Sequence, residues 1–168
     1  MPRKNKKLPR HLLVIRTSAM GDVAMLPHAL RALKEAYPEV KVTVATKSLF
    51  HPFFEGLDVG FLDIETRRTH RGIRGAIRYA REAAELKIDA VADMHNVLRS
   101  KMVRAALHLR GIPVSVIHKG RIEKYMRLGR GSEGVKPLKH TVIRYCDVFR
   151  RLGFDFPDPR PAENRPRP

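Results

Sequence analysis

The sequence has 168 residues, of which 43% are hydrophobic and 30% charged, so it is long enough for one folded domain and too rich in periodic apolar positions for a disordered chain. Its net charge of +17 indicates an anionic partner, either nucleic acid, a membrane surface or a phosphorylated substrate, with a merely solvated basic surface as the alternative. The single cysteine, Cys146, excludes an internal disulfide and fits the cytoplasm, and no apolar run approaches the roughly 18 to 20 residues that span a bilayer.

Short apolar strands alternate with amphipathic helical segments along the chain. After a basic leader over residues 1–10, the predicted strands are residues 11–16, 41–46, 59–64, 88–94 and 113–118. A short helical or loop segment is predicted at residues 50–56. The predicted helices present apolar residues at helical spacing: Leu26, Leu30, Leu33 and Tyr37; Ile73, Ile77, Ala80 and Ala84; Leu98, Met102, Ala105 and Leu109; and Val142, Cys146 and Phe149.

This alternation predicts right-handed crossovers and a parallel sheet that helices cover on both faces. The sequence therefore predicts an α/β, Rossmann-like, doubly wound domain over residues 11–154. Residues 120–139 are rich in glycine, lysine and arginine and are predicted to form a mobile basic loop. The proline-rich residues 155–168 are predicted to be a linker or tail.

The turn after the first strand is the first place to look for chemistry, because ligands bind beyond the carboxyl ends of the strands in an open parallel sheet. This turn reads TSAMGD, and its one glycine, Gly21, falls short of both the dinucleotide and the phosphate-loop fingerprints. It places Asp22 at the mouth of a helix. The Asp22 carboxylate is either a general base that faces the cleft or a cap of the helix.

The segment VIRTSAMGDVAMLPHALRALKEAYP resembles the opening of the ADP-heptose lipopolysaccharide heptosyltransferases, which are family 9 glycosyltransferases. Two further segments resemble this family: IDAVADMHNVLRSKMVRAAL, with a strand that ends in Asp and a helix that carries Arg-Ser, and KHTVIRYCDVFRRLGF, which is similar to the helix before the interdomain linker. Together the segments span most of residues 12–154.

The resemblance implies the N-terminal, acceptor-binding half of a GT-B fold. The family transfers heptose from an ADP-sugar to the lipopolysaccharide core by a metal-independent, inverting reaction, and Asp22 matches the aspartate that takes the acceptor's proton. The donor is then expected to bind a C-terminal domain that this sequence does not include, so the chain is not expected to complete the reaction alone. It is expected to be cytoplasmic, with peripheral contact to the inner face of the inner membrane.

The acceptor site is expected to combine residues from several strand ends. The turn contributes Ser18, Met20 and Gly21. Arg71 and Arg74 lie on a helix face that also carries Arg78 and Arg81, and this face is either an anion-binding surface or a set of ordinary solvated pairs with Glu82 and Glu85. The remaining candidates, which follow the second, fourth and fifth strands, are Lys47, His95, Asn96, Arg99 and Arg121.

Asp93 and Arg99 have a second interpretation, in which Asp93 binds the backbone of its turn and Arg99 points to solvent. The family often has an amide where His95 stands, so the role of His95 stays open. The eight histidines show no metal-ligand spacing, and no metal site or cofactor is predicted.

The competing function is a stand-alone basic module that binds anionic lipid or nucleic acid. Nucleic acid is the weaker of these partners, because aromatic residues make up only 7% of the chain, tryptophan is absent and no nucleic-acid motif is present. The basic leader, which includes Lys7 and Arg10, is a candidate contact to a membrane surface.

Overall fold

The computed structural model describes residues 7–65, 70, 72–118 and 139–159. In chain order these residues form β1 (His11–Ile15), α1 (Met20–Ala36), β2 (Lys41–Thr46), a 3-10 helix (Ser48–Phe54), β3 (Gly60–Asp63), α2 (Gly72–Glu85), β4 (Ala90–Asp93), α3 (Leu98–His108), β5 (Val114–Val116) and α4 (Thr141–Arg151).

The five described strands form one parallel sheet in the order β3-β2-β1-β4-β5. Strand β1 is central and pairs Val14 with Val44 of β2 and with Ala92 of β4. The chain moves outward from β1 in both directions, so the order reverses between β1 and β4. This is the Rossmann-like, doubly wound fold that the alternation of strands and helices predicted.

The two faces of the sheet carry separate apolar cores because successive side chains of a strand point to opposite sides. Leu12 and Val14 pack with α1, α4 and the 3-10 helix on one face. Leu13 and Ile15 pack with α2 and α3 on the other face. Continuous burial of β1 on both sides explains why its sequence is an unbroken apolar run.

The apolar faces predicted for the second and third helices are correct only in part. Ala80 is buried, and Ala84 and Met102 pack against the core, but the other predicted residues are not buried. Helix α2 buries Gly75, Ala76, Tyr79, Ala80 and Ala83, and α3 buries Ser100, Val103 and Leu107. The side chains of Ile73, Ile77, Leu98 and Leu109, which were expected to be buried, are exposed. On α2, the small residues Gly75, Ala76, Ala80 and Ala83 let the helix approach α3 and the sheet closely, so side-chain size contributes to the choice of its buried face.

Glycine 75 shows how close the packing at the start of α2 is. A Cβ atom added there would lie 2.2 Å from the main-chain carbonyl carbon of His70, which is too short a distance between two atoms that are not bonded. The imidazole of His70 is itself held, since its Nδ1 accepts a hydrogen bond from the Glu65 amide at 3.0 Å and its Nε2 lies 3.0 Å from the Glu82 carboxylate. The entry to α2 is therefore fixed by backbone contact.

Three predicted segments lie wholly or largely outside the described residues: the basic leader, apart from Lys7 to Arg10, the basic loop, apart from Lys139, and the end of the proline-rich tail. The domain boundaries remain predictions. Within the described ranges, no helix has both the length and the apolar character needed to cross a membrane.

Candidate functional site

The strand order reverses between β1 and β4, and in an open parallel sheet the ligand-binding crevice is expected at the carboxyl edge of such a reversal. The turn from β1 to α1 and the turn from β4 to α3 flank this crevice. The predicted site residues Ser18 and His95 belong to these two turns, and Asp22 lies in the first turn of α1, directly after the first of them. The sheet topology therefore brings the two most informative motifs of the sequence to one place.

Arg16 joins the two turns at the base of the crevice. It follows β1 directly and is buried, and its guanidinium donates hydrogen bonds to the main-chain oxygen of Met94 and to the carboxylate of Asp22. The guanidinium carbon also lies 6.0 Å from the ring centroid of Tyr145. Arg16 was not among the residues predicted from the sequence, although a cation at the end of an otherwise apolar, buried strand is the signal that could have revealed it.

Asp22 lies in the first turn of α1 and does not cap the helix. The N-cap residue is Ala19, which makes no side-chain hydrogen bond, and one carboxylate oxygen of Asp22 is bound by Arg16 instead. Its side chain is 44% exposed, and its second oxygen accepts no hydrogen bond from any residue that the structure describes. Arg16 therefore fixes one oxygen of the carboxylate and leaves the other open to solvent.

Tyr145 of α4 contacts the main chain of Asp22. Its hydroxyl donates a hydrogen bond to the main-chain oxygen of Asp22 at 2.9 Å. Burial raises the pKa of Tyr145 to about 12, with Arg16 acting in the opposite direction and Asp22 in the same direction as burial. Tyr145 therefore stays a neutral donor at physiological pH. Tyr145 was not predicted as a site residue, because no local pattern links two residues so far apart in the chain.

The β4–α3 turn is built around Asp93, whose side chain is fully buried. One carboxylate oxygen accepts the amides of His95 and Asn96 at 2.9 and 2.8 Å, and the other accepts a hydrogen bond from Arg104 at 2.8 Å. Asn96 adopts a left-handed conformation with φ of +47°. Asp93 thus shapes the turn from within, as its second interpretation predicted.

His95 is the side chain of this turn that meets the first turn. Its Nε2 lies 3.4 Å from the Ser18 hydroxyl, which is a long contact between the two walls of the crevice. His95 is nearly buried and Ser18 is half-buried. Asn96 turns partly inward, since its side-chain amide donates to the main-chain oxygen of Ile117 at 3.3 Å.

Met20 and Gly21 stand at the open mouth of the crevice. The side chain of Met20 is exposed, and a Cβ atom added to Gly21 would meet no atom of the described residues within 4 Å. The preceding Ser18–Ala19 peptide bond is cis. Gly21 is consequently not required by the packing of the described residues, so the space beside it is available to a ligand.

The cationic candidates lie in different positions. Lys47 follows β2 and precedes the 3-10 helix, Arg74 is exposed on the first turn of α2, and Arg99 is half-buried on the first turn of α3. None of these three cations forms an ion pair with a residue in the described part of the chain. Arg71 and Arg121 lie outside the described residues.

The solvated pairs predicted on α2 are found in part. Arg78 and Glu82 form an ion pair of 3.1 Å, whereas Arg81 and Glu85 form none within the described ranges. The described residues hold no group of three or more histidine, cysteine, aspartate or glutamate side chains that could bind a metal ion.

No protein-family model matches the sequence, and no curated protein is significantly similar to it. Solved structures do match. A family 9 glycosyl transferase from Veillonella parvula superposes with a TM-score of 0.64 at 17% identity, over 86% of this chain and 42% of that structure's chain.

Two heptosyltransferases from E. coli are also similar. The structure of WaaC with ADP gives a TM-score of 0.59 at 22% identity, over 88% of this chain and 49% of that one. ADP-heptose lipopolysaccharide heptosyltransferase II gives 0.56 at 22% identity, over 94% and 44%. The chain thus spans half or less of the length of these proteins. At the level of the fold, the resemblance to family 9 glycosyltransferases that the motifs predicted is confirmed.

Proposed function

We propose that this chain is the acceptor-binding half of a glycosyltransferase of the heptosyltransferase type. The observation that carries the proposal is the half-exposed carboxylate of Asp22, which Arg16 holds at the crevice between β1 and β4. The fold likeness to heptosyltransferases supports the same reaction class. An ADP-sugar would be the donor, and a lipopolysaccharide core sugar the acceptor.

Asp22 would act as the general base. One of its oxygens is occupied by Arg16, which fixes the orientation of the carboxylate, and the other is open to an acceptor hydroxyl. As Asp22 takes the hydroxyl proton, the acceptor oxygen forms a bond to the anomeric carbon of the donor. The bond between that carbon and the diphosphate breaks, and the nucleoside diphosphate leaves with its electron pair from the opposite face.

The residues around Asp22 would orient the acceptor. Ser18 and His95 meet across the crevice and present polar atoms beside its mouth, with Asn96 one residue further along the β4–α3 turn. Lys47, Arg74 and Arg99 are cations that no acid neutralises within the described residues, which suits an acceptor that carries carboxylates and phosphates. Arg71 and Arg121 remain candidates for the same role.

The donor would bind a second domain, and the reaction would need no metal. Since the chain spans half or less of the matched structures, the nucleotide-binding half is proposed to come from sequence beyond this chain. Among the described residues, the positive end of α1 and the Arg16 guanidinium place positive charge beside the Asp22 carboxylate.

The proposal is tested by replacing Asp22 with Asn in a protein that joins this chain to a donor-binding domain. We expect kcat to fall by about 10²- to 10⁴-fold, the usual contribution of a general base. Asp58→Asn is the matched control, because Asp58 is exposed, pairs with Lys34 and precedes β3 at the opposite edge of the sheet. Full turnover of Asp22→Asn would contradict the proposal.

A further inference from the structure

Two reciprocal hydrogen bonds between Glu65 and His70 close the connection from β3 to α2. The main-chain amide of His70 donates to the main-chain oxygen of Glu65 at 3.0 Å, and the main-chain amide of Glu65 donates to the ring Nδ1 of His70 at 3.0 Å. Because Nδ1 accepts a hydrogen bond, it carries no proton, so the proton of the neutral ring lies on Nε2. His70 is buried, and this connection therefore has a fixed end.

The second ring nitrogen of His70 ties the same connection to the body of α2. Nε2 donates to one carboxylate oxygen of Glu82 at 3.0 Å, and the other oxygen of Glu82 accepts a hydrogen bond from Arg78 at 3.1 Å. The imidazole also lies edge-on to the ring of Tyr79, with 4.8 Å between the ring centroids and 73° between the planes. We call the contacts of His70 with Glu65, Glu82 and Tyr79 the His70 clamp.

The His70 clamp reaches the first turn of α2 through main-chain contact. A Cβ atom added to Gly75 would lie 2.6 Å from the Cα atom of His70, so the two main chains touch. The residue before Gly75 is Arg74, an exposed cation that forms no ion pair within the described ranges. Arg78, one helical turn later, is paired with Glu82. The clamp thus fixes the backbone that carries an unneutralised cation.

We propose that His70 is a positioning residue, whose clamp holds the start of α2 so that Arg74 binds an anionic group of the acceptor. Helix α2 follows a strand of the parallel sheet, so it begins at the same edge of the sheet as the turn that leads to Asp22. A cation on a fixed backbone loses less conformational freedom when it binds a phosphate or carboxylate. The inference rests on the proposed function, since Arg74 is one of its candidate acceptor-binding residues.

Three substitutions of His70 separate the two ring contacts of the clamp. His70→Asn keeps an acceptor near the position of Nδ1 and loses the Glu82 contact, whereas His70→Gln keeps a donor near the position of Nε2 and loses the Glu65 contact. His70→Ala loses both. We expect the affinity of the 168-residue chain for a phosphorylated core-sugar acceptor, measured by calorimetry, to fall about tenfold in His70→Ala and less in the other two.

A double-variant cycle with Arg74 distinguishes positioning from a purely structural role. If the clamp acts through Arg74, adding His70→Ala to Arg74→Ala should weaken acceptor binding no further. His51→Ala is the matched control, because the His51 ring lies 2.7 Å from the Asp63 carboxylate and stacks on Phe61 but belongs to the 3-10 helix. This control should keep the acceptor affinity of the unchanged chain.

Unchanged acceptor affinity in His70→Ala would overturn the proposal, as would an equal loss in His51→Ala or additive losses for His70 and Arg74. Hydrogen exchange of the Glu65 amide measures the clamp without any acceptor, and it should be faster in His70→Ala and His70→Gln than in the unchanged chain. Equal exchange in all of these proteins would contradict the clamp and leave the proposed function standing. If the unchanged chain shows the clamp but binds no acceptor, the proposed function fails and this role of His70 fails with it. Circular dichroism of each variant checks the fold.

Discussion

The hydroxyl of Tyr145 in the last described helix donates a hydrogen bond to the main-chain oxygen of Asp22 at 2.9 Å, across 123 residues of sequence. The same phenol ring lies beside the Arg16 guanidinium that binds the Asp22 carboxylate. Helix α4 therefore covers one face of the sheet and also fixes the first turn of α1, which carries the proposed base.

Replacement of Tyr145 by Phe should remove this link while keeping the ring. We expect the free energy of unfolding to fall by about 1 kcal/mol, the usual net value of one hydrogen bond. Tyr79→Phe is the matched comparison, because the Tyr79 hydroxyl donates to the main-chain oxygen of Leu62 at 2.8 Å, away from the crevice. Urea denaturation should give similar losses for both, and only Tyr145→Phe should weaken acceptor binding. Equal acceptor affinity in the two variants would remove the positioning role of Tyr145.

Stability should decrease at alkaline pH because the fold buries acidic groups in their neutral form. Burial raises the pKa of the Cys146 thiol from 9.0 to about 11. Between these values the unfolded chain has released the proton that the folded chain keeps, so the free energy of unfolding falls as the pH rises. Urea denaturation over this range should show a shallower fall for Cys146→Ala. An identical slope in both proteins would contradict the assignment.

The buried carboxylate of Asp93 should be more important for stability than for chemistry. Asp93→Asn leaves Arg104 without its anionic partner and weakens the two amide contacts of the turn, so we expect a loss of about 2 to 4 kcal/mol. Arg104→Met alone should be destabilising for the same reason. The double variant should cost less than the sum of the two single changes, and additive losses would show that the pair does not act as a unit.

Two glycines in the first turns of helices should respond to alanine in opposite ways. Gly75→Ala places a Cβ atom 2.2 Å from the main chain of His70, so we expect a severe loss of stability or a failure to fold. Gly21→Ala meets open space and should be neutral or should stabilise α1 by about 0.5 to 1 kcal/mol, because alanine is the better helix former. Thermal unfolding of both variants compares them directly. If the acceptor enters beside Gly21, that variant should still bind acceptor more weakly.

The strands and the first helix could be predicted from the sequence because local rules determine them. Strand β1 was predicted within one residue because it is a nearly continuous apolar run, and β2 was predicted without error because it is rich in β-branched residues. The faces of α2 and α3 could not be predicted by hydrophobic spacing. There, close approach selected Gly75, Ala76 and Ala83 for the interior and left Ile73 in solvent.

The location of the candidate site could also be predicted, because the carboxyl edge of a parallel sheet follows from topology alone. Ser18 and His95 are brought together there as expected. The two residues that hold Asp22 were not found, since Arg16 and Tyr145 reach it through contacts that no periodicity encodes. A cation at the end of a buried strand is the feature to examine first in similar sequences.

We propose that this chain binds an anionic acceptor and that the donor binds another domain. The most direct test is calorimetric titration of the chain with a phosphorylated core-sugar acceptor and, separately, with an ADP-sugar, each at low and high salt. We expect saturable binding of the acceptor that persists when salt screens unspecific attraction, and no binding of the ADP-sugar. Binding of the ADP-sugar alone, or of neither ligand, would contradict it.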